Sequence, residues 1–228
     1  EELLQGIADT QNQIQAEKDY LDSAKAEIQE TQTAIKGKQT SLANSRNQKK
    51  AVVSQLSEEE KELQEELEIY EEHKKEIQQL IAKASAQYSG ISVVPSAAGY
   101  ISPLPGKTKS NITTGYGAYR GHSGADFACS GGTPIYAVKS GKVYKSTAKM
   151  KNGKYVSYGE YIIIDHQDGT MTLYAHMLAG SRAVQEGQMV SQGQQIGKVG
   201  STGNSTGNHL HFEVWVNGKH TNPAPFLP

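Results

Sequence analysis

His209-Leu210-His211-Phe212-Glu213-Val214-Trp215-Val216 alternates polar and apolar residues over its first half and is rich in aromatic and β-branched residues, the pattern of a β-strand. Side chains on a strand alternate between faces. His209 and His211 therefore project from one face, while Leu210, Phe212 and Val214 enter a core on the other. Further short alternating runs bounded by glycine lie upstream, at Pro134–Val138, Gly141–Ser146, Tyr161–His166, Met171–His176 and Gln195–Val199. Gln167-Asp168-Gly169 reads as a hairpin turn between two of these runs, and Asn217-Gly218 as another. No stretch after residue 100 predicts a long helix. Residues 111–228 are expected to form a compact antiparallel β-sheet domain.

Residues 1–88 are built differently. Apolar residues recur every seven positions at Ile7, Ile14, Leu21, Ile28, Ile35 and Leu42, and the phase resumes at Leu56, Leu63, Tyr70, Ile77 and Ala84. This spacing predicts a coiled coil. The second seam position is apolar at Leu4, Val53, Leu67 and Ile81 but polar at Gln11, Lys18, Lys25, Gln32, Gln39 and Arg46, so the seam is narrow. Two arrangements fit: a straight helix paired with another chain as a homodimer, or an antiparallel hairpin turning near residues 40–47. Between coil and sheet domain, residues 89–110 are small, Pro/Gly-punctuated and uncharged until Lys107, and read as a linker. The fold class is α+β and multidomain, long helices first and sheet second.

Charge divides along the same line. Residues 1–90 hold 18 acidic and 11 basic residues, net −7, and residues 91–228 hold 6 and 12, net +6. The basic half would be drawn to an anionic surface. The run Glu58-Glu59-Glu60-Lys61-Glu62 and His73 read as solvated positions on the helix. No run approaches the roughly 20 apolar residues that span a bilayer. Glu1-Glu2-Leu3-Leu4-Gln5 lacks the basic start and apolar stretch of a signal peptide. The single cysteine, Cys129, excludes an intrachain disulfide framework and a cysteine-based zinc cluster. No nucleic-acid partner is expected.

Five polar residues carry the chemistry of the second half. His122 and Asp126 are four apart, His209 and His211 two apart, and His176 ends the run Leu173-Tyr174-Ala175-His176. A hydrolytic zinc site needs three protein ligands and an open position, and imidazole and carboxylate suffice as donors. His122, Asp126 and one member of the His209/His211 pair would complete such a set. The remaining histidines could take up a proton from water and stabilise an oxyanion.

These motifs, together with Gly132-Thr133-Pro134-Ile135-Tyr136-Ala137, Tyr174-Ala175-His176 and Gly200-Ser201-Thr202-Gly203-Asn204-Ser205-Thr206-Gly207-Asn208-His209-Leu210-His211-Phe212-Glu213, resemble the LytM/lysostaphin-type zinc peptidases over about residues 100–228. The preceding coil resembles that of EnvC- and PcsB-type cell-division hydrolases and regulators. The resemblance implies a zinc endopeptidase acting on peptidoglycan in the bacterial cell envelope. By it His122, Asp126 and His211 are the zinc ligands, His209 is the general base, and His176 stabilises the oxyanion. Separately, a long coil with a thin apolar seam, tethered by a linker to an intact hydrolase, suggests restraint of the cleft by the coil, and the coil is a candidate to dock on a membrane-embedded division or regulatory complex. A regulator that activates another hydrolase is the alternative, although the five-residue pattern is intact. The glycine-rich stretch 200–207 is expected to form a mobile loop beside the cleft. His166, His220, Cys129, Tyr161, Trp215 and Asn111 read as structural or surface residues.

Overall fold

The computed structural model describes residues 2–88, 90, 93, 99–119 and 121–228, apart from the side chains of residues 2–5, 8 and 9. One continuous helix, α1, runs Glu2–Ser85. It contains no proline, and its glycines, Gly6 and Gly37, are isolated among Ala, Glu, Gln, Lys and Leu, so helix propensity is favourable along its length. No turn interrupts it at residues 40–47, and the hairpin arrangement does not form. The chain divides into two compact units inside this helix, Glu1–Glu62 and Leu63–Pro228. In the first unit the heptad residues are exposed, from 51% at Ile7 to 73% at Leu42.

The second unit is antiparallel throughout. Its strands are β1 Ala125–Ala128, β2 Pro134–Tyr136, β3 Gly141–Lys151, β4 Lys154–Asp165, β5 Thr170–Met177, β6 Met189–Val190, β7 Gln195–Lys198, β8 His209–Val216 and β9 Lys219–Thr221. The main sheet has the order β1-β8-β5-β4-β3-β6, with β9 paired to β8, and β2 and β7 form a second, two-stranded sheet. The turns at Gln167–Gly169 and Asn217-Gly218 form as expected. Gln167, Gly169, Asn217 and Gly218 adopt the positive φ that tight hairpins require.

Both faces of the main sheet are covered. On one, Leu210, Phe212 and Val214 join Ile162, Ile164, Tyr174, Ile135 and Ile196 in a core closed by the small sheet. On the other, Trp215, Tyr158, Tyr161, Ile163, Leu173 and Ala175 receive the end of α1 through Ile77 and Ile81. The heptad positions of this last stretch thus bury against the sheet. His73, expected on the surface, is 2% exposed. Its Nδ1 lies 2.9 Å from Ser157 Oγ and its Nε2 lies 3.3 Å from the Tyr161 hydroxyl. A helix that docks on a sheet has an inward face, and His73 falls on it.

Of the expected linker, residues 89, 91, 92 and 94–98 lie outside the described residues. Tyr100 and Leu104, further along it, are buried in the sheet domain's core. There Ile101 N donates to the Val138 carbonyl at 2.9 Å and Tyr136 N to the Pro103 carbonyl at 2.9 Å. Asn111 serves a local turn, its Oδ1 accepting from Thr108 N at 2.9 Å. Among the described residues, only single 3-10 turns occur after residue 100.

Candidate active site

Strand register brings the predicted residues together. β1 pairs with β8 so that Asp126 lies opposite His211 and Ala128 opposite His209. β5 pairs with the other edge of β8, with Ala175 opposite His211 and His176 following at the strand end. His122 sits in the loop before β1. Gly124 lets that loop lie against β8: a Cβ there would stand 2.5 Å from the Phe212 carbonyl oxygen and 2.9 Å from the His211 ring. His176 itself has φ 57°, a left-handed conformation that costs energy for a non-glycine residue and is frequent at functional sites.

His122 Nε2 is 3.1 Å from Asp126 Oδ1, and His211 Nδ1 is 2.7 Å from the same oxygen. Candidate donor atoms of these three residues all lie within 4.8 Å of one another, so the group could hold a metal ion. Around a tetrahedral zinc with bonds of about 2.1 Å, neighbouring donors stand roughly 3.4 Å apart. The two short edges, 3.1 and 2.7 Å, need to open by roughly 0.3 and 0.7 Å to reach that spacing.

Hydrogen bonds fix which nitrogen each histidine offers. A carbonyl oxygen only accepts, so the ring nitrogen facing it carries the proton. His122 Nδ1 donates to the Gly115 carbonyl at 2.7 Å, His176 Nδ1 to the Thr202 carbonyl at 2.8 Å and His209 Nδ1 to the Gly207 carbonyl at 2.8 Å. Neutral rings held this way keep Nε2 as the free lone pair. His211 is reversed. Its Nε2 donates to Glu213 Oε1 at 3.1 Å, which turns Nδ1 toward Asp126 and His122. The rings of His176 and His209 have centroids 4.7 Å apart, and His176 lies 5.9 Å from His211. A cavity of about 510 Å³ opens over Asp126, His176, His209 and His211.

The charges follow from burial and contact. Burial favours the neutral acid at Asp126, yet the His122 and His211 rings against its carboxylate outweigh burial and hold the carboxyl well below the usual range. Burial opposes charge on His211, but the Asp126 and Glu213 carboxylates raise it to about 9. Burial, with the neighbouring His211 and His209, pushes His176 down to about 3. With its Nδ1–H committed to Thr202, the neutral ring offers Nε2 to the cavity as an acceptor.

The five residues singled out in the sequence therefore meet in one place. Glu213 was missed. It is fully buried and accepts from Ser123 Oγ at 2.5 Å, the Tyr158 hydroxyl at 2.8 Å and Trp215 Nε1 at 2.7 Å besides His211. The signal was present: a carboxylate two residues after His211 on an alternating strand shares its face. The stretch 200–207, expected to be mobile, is instead tied down. Thr202 Oγ1 donates to the Met177 carbonyl at 2.6 Å, and Asn204 exchanges bonds with the Ser157 backbone at 2.8 and 3.0 Å. Gly203 packs so tightly on Ser157 and Gly159 that a Cβ would sit 2.2 Å from the Ser157 carbonyl oxygen.

Residues 120–223 match the model of peptidase family M23. That stretch is an M23-type domain. It is 43% identical over 107 residues to the peptidoglycan DD-endopeptidase ShyC of Vibrio cholerae, covering 47% of this chain and 23% of that protein. It is 37% identical over 126 residues to the murein hydrolase activator NlpD of Salmonella dublin, covering 55% of this chain and 30% of that one. The chain thus spans less than a third of the length of either relative. Among solved structures, it is 33% identical to a zinc-containing peptidase from Vibrio cholerae, with a TM-score of 0.47, covering 54% of this chain and 38% of that one. The M23 region takes in the loop of His122, the whole of β1 to β9 and the paired β8 histidines. No described helix is long and apolar enough to cross a membrane.

Proposed function

We propose that this M23 chain is a zinc-dependent endopeptidase that hydrolyses peptide bonds in peptidoglycan stems or cross-bridges within the bacterial cell envelope. The observation that carries the reading is the set of fixed ring tautomers. Three converging donors, His122 Nε2, Asp126 Oδ1 and His211 Nδ1, stand beside two further imidazoles, His209 and His176, in one cavity. Two imidazoles and one carboxylate are a donor set suited to catalytic zinc, and they leave a position open. Zinc bound there would act as a Lewis acid and make water nucleophilic near neutral pH.

The chain's own residues supply the rest. His209 Nε2 takes the proton from the attacking water and returns it to the leaving amine. His176, whose Nδ1 donates to Thr202, presents Nε2 to the cavity and stabilises the oxygen on which charge develops when that nitrogen carries a proton. The Gly207 and Thr202 carbonyls keep both rings oriented for these tasks.

Mass spectrometry of muropeptides released from purified peptidoglycan tests the reading. Defined products are expected with zinc and none with a chelator. His209→Ala should abolish cleavage while the metal stays bound; full activity in that variant would remove the base assignment. The likeness to NlpD supports a second reading, in which the domain activates another hydrolase. A folded, zinc-loaded chain that releases no muropeptides by itself, yet stimulates an added amidase, favours that one. In either reading the exposed apolar stripe of residues 7–56 is the surface through which the coil pairs, with a second copy or a membrane-embedded division complex. Sedimentation of the purified chain distinguishes self-pairing from a single helix.

A further inference from the structure

α1 meets the sheet on the face that carries the histidines, because His209, His211, Glu213 and Trp215 alternate along one side of β8 and Trp215 packs against Ile77 and Ile81. Followed toward its N-terminus from that contact, the helix runs out over the site. The Tyr70 ring packs against that of Tyr158, tilted, with centroids 5.8 Å apart. One turn further, Leu67 is 59% exposed. Leu67, Tyr70 and Glu71 of the helix and Asn204, Ser205 and Thr206 of the loop before β8 all line the 510 Å³ cavity.

We propose that Leu67, Tyr70 and Glu71 form the second wall of the substrate cleft and that the cleft takes an extended peptide stem of peptidoglycan. This rests on the endopeptidase reading above and gives the end of the helix a part in it. The cavity falls in the size range of small-ligand sites, about 300–1,000 Å³, so the helix bounds the space and leaves it unfilled. Its two sides match a peptide chemically. Leu67 and the Tyr70 ring offer apolar surface for small aliphatic side chains. Asn204, Ser205 and Thr206 offer amide and hydroxyl groups for backbone N–H and C=O. The occupant is assigned by continuity, since the same cavity contains His176, His209 and His211.

The wall is fixed. Lys74 donates to the carbonyl of Gly121, the residue before His122. Lys149 pairs with Glu76 at 2.7 Å. His73 bonds Ser157 and Tyr161, and Ile77 and Ile81 are buried beneath. Leu67 lies beyond all of these ties and is not needed to hold the helix down. An exposed leucine over a polar cleft contributes little until a ligand covers it, and then its burial favours binding.

The test uses the full zinc-loaded chain. With soluble muropeptides, prepared from purified peptidoglycan with a muramidase, Leu67→Ala is expected to raise KM about tenfold and to change kcat less than about twofold. The same substitution in a His209→Ala chain, which does not turn over, is expected to weaken muropeptide binding by a similar factor. Circular dichroism confirms that the fold is intact. A faster Leu67→Ala enzyme would mean that the helix obstructs the cleft and would overturn the proposal. Unchanged KM and unchanged binding, in a chain that cuts peptidoglycan, would overturn it while leaving the endopeptidase reading standing. A chain that neither cuts nor binds muropeptides would remove both.

Discussion

Glu213→Gln is the substitution whose outcome the geometry constrains most tightly. The carboxylate is fully buried and presents Oε1 to Ser123, Tyr158 and His211, and Oε2 to Trp215 Nε1 at 2.7 Å. Glutamine keeps the shape but must place one NH₂ and one C=O. The indole N–H can only donate. If the amide NH₂ faces Trp215, two donors confront each other in the core, at a cost of about 1–3 kcal/mol. If the carbonyl faces Trp215, the NH₂ faces His211 Nε2. Serine and tyrosine hydroxyls can rotate to accept, but His211 must then accept at Nε2 and carry its proton on Nδ1. That is the nitrogen 2.7 Å from Asp126 Oδ1, the one that would ligate zinc. Either orientation penalises the site. Loss of such an outer partner lowers metal affinity by roughly 10–100-fold. The assay is competition for zinc against a chromogenic chelator on the full chain. Trp215→Phe added to Glu213→Gln removes the opposing donor, frees the carbonyl to return to His211, and should restore affinity to within a few-fold of the parent. Parental zinc affinity in Glu213→Gln, or no recovery in the double variant, would refute the tautomer argument.

Gly124→Ala should cost more in zinc affinity than in stability, because its methyl group would press on the Phe212 carbonyl and the His211 ring at under 3 Å; metal titration beside a denaturant melt separates the two. Ile81→Ala, at a site with no exposure, should lower unfolding free energy by about 2–5 kcal/mol in a urea titration and loosen the helix end from the sheet. Burial, with Lys149 nearby and Glu76 opposing, holds His73 down at about 4 from 6.5. A neutral buried histidine gives its full contribution above pH 6.5 and loses it as pH falls toward 4, since the unfolded chain then binds the extra proton. His73→Gln should therefore flatten the dependence of stability on pH across that window, and an unchanged slope would mean that His73 takes up its proton in the fold as readily as in the unfolded chain.

Much of the second unit was legible because strand alternation and glycine punctuation are local signals. β8 was read to its exact ends, and both hairpin turns were visible as short polar loops ending in glycine. β1, β6 and β9 were missed for the converse reason, being only four, two and three residues long. The helix posed a different problem. A seven-residue apolar repeat looks the same whether it faces a partner helix or a sheet, so Tyr70, Ile77 and Ala84 read as coil although they pack on the sheet domain. His73 shows what tertiary context adds. Among charged neighbours it looked solvated, and only the docking of α1 puts it beside Ser157 and Tyr161. The site residues were legible because His-x-x-x-Asp and His-x-His need only strand register to meet. The proton positions were not, because they depend on the Gly115, Thr202 and Gly207 carbonyls, which carry no sequence signal.

Burial on both faces of β8 sets a problem that the strand solves with one residue. A strand that packs a core on one side and a helix on the other would ordinarily be apolar throughout, yet this one must present two imidazoles. At its open end His209 faces the cavity, and at its covered end Trp215 meets the helix. Between them His211 and Glu213 make the passage from polar to apolar. The carboxylate is tolerable in the interior because it accepts from four donors, one of them the indole that begins the apolar stretch. Tyr158 belongs to both sides of the boundary, donating to Glu213 while its ring packs against Tyr70 and His73 of the helix. The geometry of His211 is therefore fixed by the same contacts that seat α1, through Tyr158 and Glu213. It follows that disturbing the Tyr158 contact from the helix side should reach His211, although no helix residue needs to touch it.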